Sequence, residues 1–114
     1  MKEVLDMNFI DKKFDKRETK LRRNYEIEDT LYSKLEDLSK IYDATVADLI
    51  NASLEYLILT ENIVLYERNK SEIVVTHTVL IKESNLAGLE KLKIKYGVSI
   101  YKLVNIAIKN LLEE

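Results

Sequence analysis

Residues 75–81 read Val75-Thr76-His77-Thr78-Val79-Leu80-Ile81, and the fold turns on this stretch. It alternates and is rich in β-branched side chains, which fit a pleated strand better than a helix. One face carries Val75, His77, Val79 and Ile81, and the other carries Thr76, Thr78 and Leu80. Downstream the apolar period lengthens. Leu86, Leu89, Leu92 and Tyr96 predict a helix from about Ser84. Gly97 suits the left-handed position just past a helix end. Ser99 then predicts the cap of a second helix, with Leu103, Val104, Ala107, Ile108, Leu111 and Leu112 as its apolar stripe.

Displaced by 54 residues, the chain matches itself, residues 22–60 lying over residues 76–114 without a gap. The identical pairs are Ile27/Ile81, Leu35/Leu89, Glu36/Glu90, Leu38/Leu92, Tyr42/Tyr96, Leu49/Leu103, Asn51/Asn105 and Leu57/Leu111. Most are apolar or aromatic at helical spacing, and self-similarity of this kind marks a repeated supersecondary unit. The first copy accordingly reads as a strand at 21–27, a helix through Leu31, Leu35, Leu38 and Tyr42, and a turn at Asp43-Ala44. Thr45 caps its second helix, and Asp48 completes a capping-box pattern. Tyr42 and Tyr96 both fall on stripes expected to face the core.

Four segments follow. Residues 1–19 have no clear partner in the repeat and read as a flexible basic arm, from which Met7, Phe9 and Ile10 are available to dock. Residues 20–60 form the first unit. Residues 61–74 are a linker or a helix extension, since no proline or glycine stops the preceding helix before Ile63, Val64 and Leu65. Residues 75–114 form the second unit, sharing one core with the first.

Composition bounds the function. An apolar fraction of 46% with 33% charged residues belongs to a soluble folded protein, and a cytoplasmic location is expected. Without cysteine there is neither a disulfide nor a thiolate metal site. Charges interrupt the N-terminal apolar residues, arguing against a signal peptide. The longest apolar stretch, at 56–59, is too short to span a membrane. A net charge of −2 argues weakly against nucleic acid, but residues 12–23 hold seven cations against Asp15 and Glu18.

A unit of this size buries too little surface to fold alone, and a lone strand leaves its backbone donors and acceptors unmet. Pairing the two strands over the helices answers both needs. The expected fold is therefore mainly α with a short two-stranded antiparallel ribbon, Tyr25, Ile27, Val79 and Ile81 facing inward.

Strand, helix, left-handed turn and Ser/Thr-capped helix, occurring twice, resemble the ribbon-helix-helix DNA-binding family of the Arc and MetJ type. The most specific stretch is Tyr96-Gly97-Val98-Ser99 followed by the Leu103/Val104 and Ala107/Ile108 pairs. The resemblance implies a double-stranded DNA partner, with the ribbon in the major groove and alternate outward residues reading bases. Those positions are Arg22, Asn24, Glu26, Thr76, Thr78 and Leu80. Arg suits guanine O6 and N7, Asn suits adenine N6 and N7, Thr suits several edges, and Glu26 suits cytosine N4 or repels phosphate. Leu80 offers apolar contact alone. The resemblance also implies phosphate clamping by the second helix of each unit, at Thr45 and Val46 and at Ser99 and Ile100, aided by Lys20 and Lys102. Asp48 stands where Lys102 stands, so the second clamp is expected to be the stronger. The family plan is one unit per chain in a homodimer. Here two in tandem imply an intramolecular pseudo-dimer, with room for further self-association on DNA.

No cofactor, metal site or catalytic residue is expected. His77 is a lone imidazole without ligands at suitable spacing, and Gly88 and Gly97 form no phosphate loop. Gly88, inside a helix, points to close helix packing. Glu28-Asp29 and Glu113-Glu114 read as solvated helix ends, and no nucleophile stands beside a base. The function expected is sequence-specific DNA binding, as a transcriptional repressor or a plasmid or viral regulator. Two alternatives stand beside it: an antitoxin that also binds a toxin through residues 1–19, and a helical protein-interaction module without DNA contact.

Overall fold

The structure is a computed structural model describing residues 18–113, and the readings made for residues 1–17 and Glu114 lie outside it. In chain order the elements are β1 (Lys20–Glu28), α1 (Asp29–Tyr42), α2 (Val46–Thr60), β2 (Val74–Lys82), α3 (Glu83–Tyr96) and α4 (Ile100–Leu112). The described residues are thus mainly helical, with one two-stranded antiparallel sheet. Each strand runs one residue further at both ends than the alternation predicts.

The register places Asn24 opposite Thr78, Arg22 opposite Leu80 and Glu26 opposite Thr76. Asn24 and Thr78 are the residues that a displacement of 54 superposes, so the pairing is symmetric about them. The inward face carries Tyr25, Ile27, Val79 and Ile81, all buried. They meet Leu35, Ile50, Leu54, Leu89, Leu103 and Ile108, each fully buried. Fully burying each such aliphatic side chain contributes roughly 1.5–3 kcal/mol, so this contact is the main cohesive term.

The hydrogen bonds follow the same symmetry and run between the copies. Asn105 on α4 accepts from the Glu28 N–H at 3.0 Å and donates to the Glu26 carbonyl at 2.9 Å. Asn51 on α2 accepts from the Lys82 N–H at 3.0 Å and donates to the Leu80 carbonyl at 2.9 Å. A two-stranded ribbon has two free edges, and here each edge is held by a buried asparagine of the other copy.

The starts of α1 and α3 are capped reciprocally as well. Neither Glu28 nor Lys82, at the two N-caps, supplies a side-chain bond. Instead Thr30 donates its N–H and hydroxyl to the Glu72 carboxylate, and the Asp29 N–H reaches the Ile73 carbonyl. On the other side Ser84 donates its N–H to the Glu18 carboxylate at 2.7 Å, and the Glu83 N–H reaches the Thr19 carbonyl. Glu18 and Thr19, read as part of a flexible arm, are therefore pinned to α3.

Turn chemistry matches the sequence. Asp43 and Gly97 adopt φ of 54° and 65° in the left-handed region. The Thr45–Asp48 capping box is formed, and Ser99 caps α4. Gly88 has a packing reason: a Cβ there would stand 2.5 Å from Ile58 Cδ1, so α3 lies closer to α2 than any larger residue permits.

One open alternative is decided, in favour of a linker after Thr60, and two readings require correction. The helix ending at Thr60 does not extend, because Glu61 turns left-handed at φ 53°. Its carboxylate accepts from Lys95 Nζ at 2.8 Å and Tyr96 Oη at 2.6 Å, which ties the end of α2 to the end of α3. Tyr42 and Tyr96 do not reach the core and are 67% and 43% exposed, since each ends its helix at the periphery of the bundle. Glu28 is not a solvated helix end. It is buried, and its carboxylate accepts from the Tyr66 hydroxyl at 2.6 Å.

Removing either asparagine strands two backbone groups at a ribbon edge. Asn51→Ala and Asn105→Ala are each expected to cost about 1–3 kcal/mol, read as a lower urea midpoint at unchanged slope. The pH response follows from two carboxylates. The Ser84 N–H holds the Glu18 carboxyl below its ordinary value, and the Lys95 and Tyr96 donors do the same for Glu61. Their stabilisation is present above the ordinary carboxylate value of 4.5 and is lost as pH falls through the lowered one. The melting temperature of Glu18→Gln should therefore fall less steeply below about pH 4.5 than that of the unaltered protein.

Candidate nucleic-acid interface

An antiparallel ribbon packed on helices through one face leaves the other face to solvent. Pleating therefore sends Arg22, Asn24 and Glu26 outward from β1, and Thr76, Thr78 and Leu80 outward from β2. All six are exposed, and the register brings them onto one surface as three facing pairs. A reading frame displaced by one residue is excluded by Tyr25, which is buried and whose hydroxyl is pushed above its ordinary value by that burial. At the centre the Thr78 hydroxyl donates to Asn24 Oδ1 at 2.7 Å. This bond sets the amide orientation and leaves Asn24 Nδ2 as an outward donor. Leu80 is 45% exposed and spends no burial on the core.

The two ends of this surface differ in charge. At one end Lys20 and Lys82 face each other; at the other the partners are Glu28 and Val74. Arg23 is exposed too, its guanidinium donating to the Arg22 carbonyl at 2.8 Å. The copy-related residue His77 stacks on Tyr32, with ring centroids 3.6 Å apart and planes 6° from parallel. Among the described residues no cluster of three or more His, Cys, Asp or Glu side chains is placed to hold a metal.

Each second helix begins beside a ribbon edge, because Asn51 and Asn105 tether α2 to β2 and α4 to β1 within the first two turns. A helix start presents N–H groups without intrahelical partners and the positive end of the dipole. At α2 that capacity is partly used internally. Thr45 Oγ1 accepts from the Asp48 N–H at 3.0 Å, and Asp48 adds a negative charge. At α4 Ser99 Oγ accepts from the Lys102 N–H at 3.2 Å, and the Lys102 side chain is exposed. Val46 and Ile100, next in line, pack their side chains against the core and offer backbone alone. The asymmetry between the two helix starts is thus present in the charges around them.

The start of α4 also borders a cavity of about 760 Å³, lined from the linker by Tyr66, Glu67, Arg68 and Lys70, from β1 by Glu28 and from α4 by Lys102 and Asn105. Tyr66 is half-buried among these groups, and that burial together with the Glu28 acceptor pushes its hydroxyl well above the ordinary range. Arg68 donates to the Tyr101 hydroxyl at 3.1 Å and, with Lys70 and Lys102, lines the rim.

Reasoning from sequence assigns the outward strip but passes over three features. Asn51 and Asn105 are visible as an identical pair without an evident partner. Glu18 and Glu72 stand 54 residues apart, just outside the aligned block. Arg68 and Lys70 also lie outside the aligned block; a displacement of 54 sets Lys70 over Lys16 and Arg68 over Phe14, so Arg68 carries no internal signal. Neither a protein-family model nor a curated protein nor a solved structure matches the chain.

Proposed function

We propose that this chain is a sequence-specific double-stranded DNA-binding protein, a tandem ribbon-helix-helix pseudo-dimer that reads the major groove with its ribbon. One observation carries the reading. Six side chains project from a solvent-facing ribbon on a helical scaffold, and none of them is spent on the core. A two-stranded ribbon fits the major groove, whose base edges offer distinct donor and acceptor patterns. Arg22 supplies a bidentate-capable guanidinium, Asn24 an amide donor, Thr76 and Thr78 adaptable hydroxyls, and Leu80 suits a thymine methyl. Lys20 and the α4 start with Ser99, Ile100 and Lys102 supply phosphate contacts, and Thr45 with Val46 supplies a weaker one.

The pseudo-dimer reading rests on the exchange of edge and cap bonds between the copies. In a homodimer such bonds would cross a subunit interface; here one polypeptide makes both sets. Because the copies differ at every outward position, the two halves of the recognised site need not be inverted repeats. Bound across a promoter or an origin, such a protein acts by occlusion, as a repressor or a plasmid or viral regulator.

A second reading, in which a protein partner is also bound, is favoured by an apolar groove. Leu38, Tyr42, Leu49, Leu111 and Leu112 line a space of about 390 Å³. Of the five copy-related residues, Leu57, Leu92 and Leu103 are buried, Ile58 is half-buried and Tyr96 is exposed. Lys34 stands where Gly88 permits close packing in the other copy, so α1 lacks the residue that lets α3 approach.

Selection from random duplexes by the full chain should return a defined site without strict palindromy. Affinity should fall about 10³-fold between 50 and 200 mM salt if about six phosphates are contacted. Failure to retain any duplex at low salt would leave the protein-interaction reading. Arg22→Ala and Asn24→Ala should each cost about 1–3 kcal/mol of binding and relax one base position. Lys102→Ala should weaken all sequences alike, by a similar factor for each.

A further inference from the structure

The linker between the copies is a built part of the structure. The Asn62 carbonyl accepts from Asn110 on α4 at 2.9 Å, Ile63 and Tyr66 pack against the core, and Lys109 lies 5.2 Å above the Tyr66 ring. The Glu72 carboxylate then caps α1. Between these anchors Arg68 is held on the Tyr101 hydroxyl, in the first turn of α4, and Arg68, Lys70 and Lys102 line one cavity, three cations against the exposed Glu67 and the internally engaged Glu28.

These cations stand where the ribbon lacks them. A strip lying in a groove is flanked by phosphates at both ends, and cations are needed at each. One end has Lys20 opposite Lys82, whereas the other has Glu28 opposite Val74, with Glu26 close by. Glu28 is turned away from solvent and holds Tyr66, so its charge is engaged internally. Resting on the proposed DNA-binding role, we infer that Arg68 and Lys70 form with Lys102 a phosphodiester-binding rim over the start of α4, so that the linker itself grips the backbone beside one half of the site. The ligand chemistry is a phosphate oxyanion, and its source is the DNA backbone. Arg is suited to the task by its planar fork, while Lys70 acts as a point charge. Among the described residues these linker cations stand beside one end of the ribbon, the end at Glu28.

The test uses the full chain, a mixed-sequence duplex and a salt titration. Arg68→Gln/Lys70→Gln should reduce the magnitude of the slope of log affinity against log salt by about 1.8, while the selected sequence stays the same. Phosphate-ethylation interference should lose contacts on one side of the site alone. A charge-matched pair, Lys91→Gln/Lys93→Gln on α3, should leave the slope unchanged, and unchanged thermal melting should show that both variants fold. An unaltered slope in Arg68→Gln/Lys70→Gln, with the unsubstituted chain still binding duplex, overturns the rim. So does inorganic phosphate that binds the unsubstituted chain and loses affinity in the variant without any change in duplex binding, which would assign the rim to a free anion. No duplex binding by the unsubstituted chain at low salt overturns the DNA-binding reading itself.

Discussion

A two-stranded ribbon has more exposed backbone than it can satisfy, and the rest of this structure depends on how its two edges are met. Asn51 and Asn105 meet them, each from a second helix and each across to the strand of the other copy. An unmet buried backbone group costs about 1–3 kcal/mol, so neither copy can retain its strand without the other. Glu18 and Glu72 extend the exchange to the helix starts. The hydrophobic contact between ribbon and helices supplies most of the cohesion. The exchanged bonds determine which strand, which edge and which register, and so which face is left to solvent.

Much of this arrangement is legible in the residues. Alternation at 75–81 sets the faces of the ribbon, because a slip of one residue would turn Ile27 and Ile81 out to solvent. Asp43, Gly97, Thr45 and Ser99 set the turns and caps through local chemistry that needs no tertiary partner. What is not legible is tertiary. Glu61 ends α2 in the left-handed region although no glycine or proline marks the stop, and its carboxylate is met by Lys95 and Tyr96 of another element. Glu28 sits in a run that looks solvated and is buried by a linker tyrosine 38 residues on. Tyr42 and Tyr96 keep helical phase with the core, but each lies on the last turn, beyond the reach of the opposing helix. The outward strip at 22, 24 and 26 could be read because it is the complement of the buried face. Arg68 and Lys70 could not, since an irregular segment has no period from which position follows.

The copies agree and differ in a physically ordered way. Positions that make the exchanged bonds and part of the core are identical: Ile27/Ile81, Leu35/Leu89, Asn51/Asn105 and the capping carboxylates Glu18/Glu72, while Ile50/Val104 and Leu54/Ile108 keep apolar character and Leu31/Asn85 does not. Positions on the outer ribbon differ: Arg22/Thr76, Asn24/Thr78 and Glu26/Leu80. In a homodimer any outward residue is presented twice, and its effect on one half is imposed on the other. A single chain removes that constraint, because each exposed position occurs once while the bonds that hold the ribbon stay paired.

Charge follows the same rule and compensates crosswise. The ribbon end carrying Lys20 and Lys82 lies beside the helix start bearing Asp48; the end carrying Glu28 lies beside the one bearing Lys102. Symmetry alone would have given both ends the same charge, so the balance is reached by different elements at each. Under the proposed function, each end then keeps cations for the flanking phosphates, from the strands on one side and from helix and linker on the other. The linker is thereby more than a tether. Its path, fixed by Ile63, Tyr66 and Glu72, brings cations to the end of the ribbon whose own strands do not provide them.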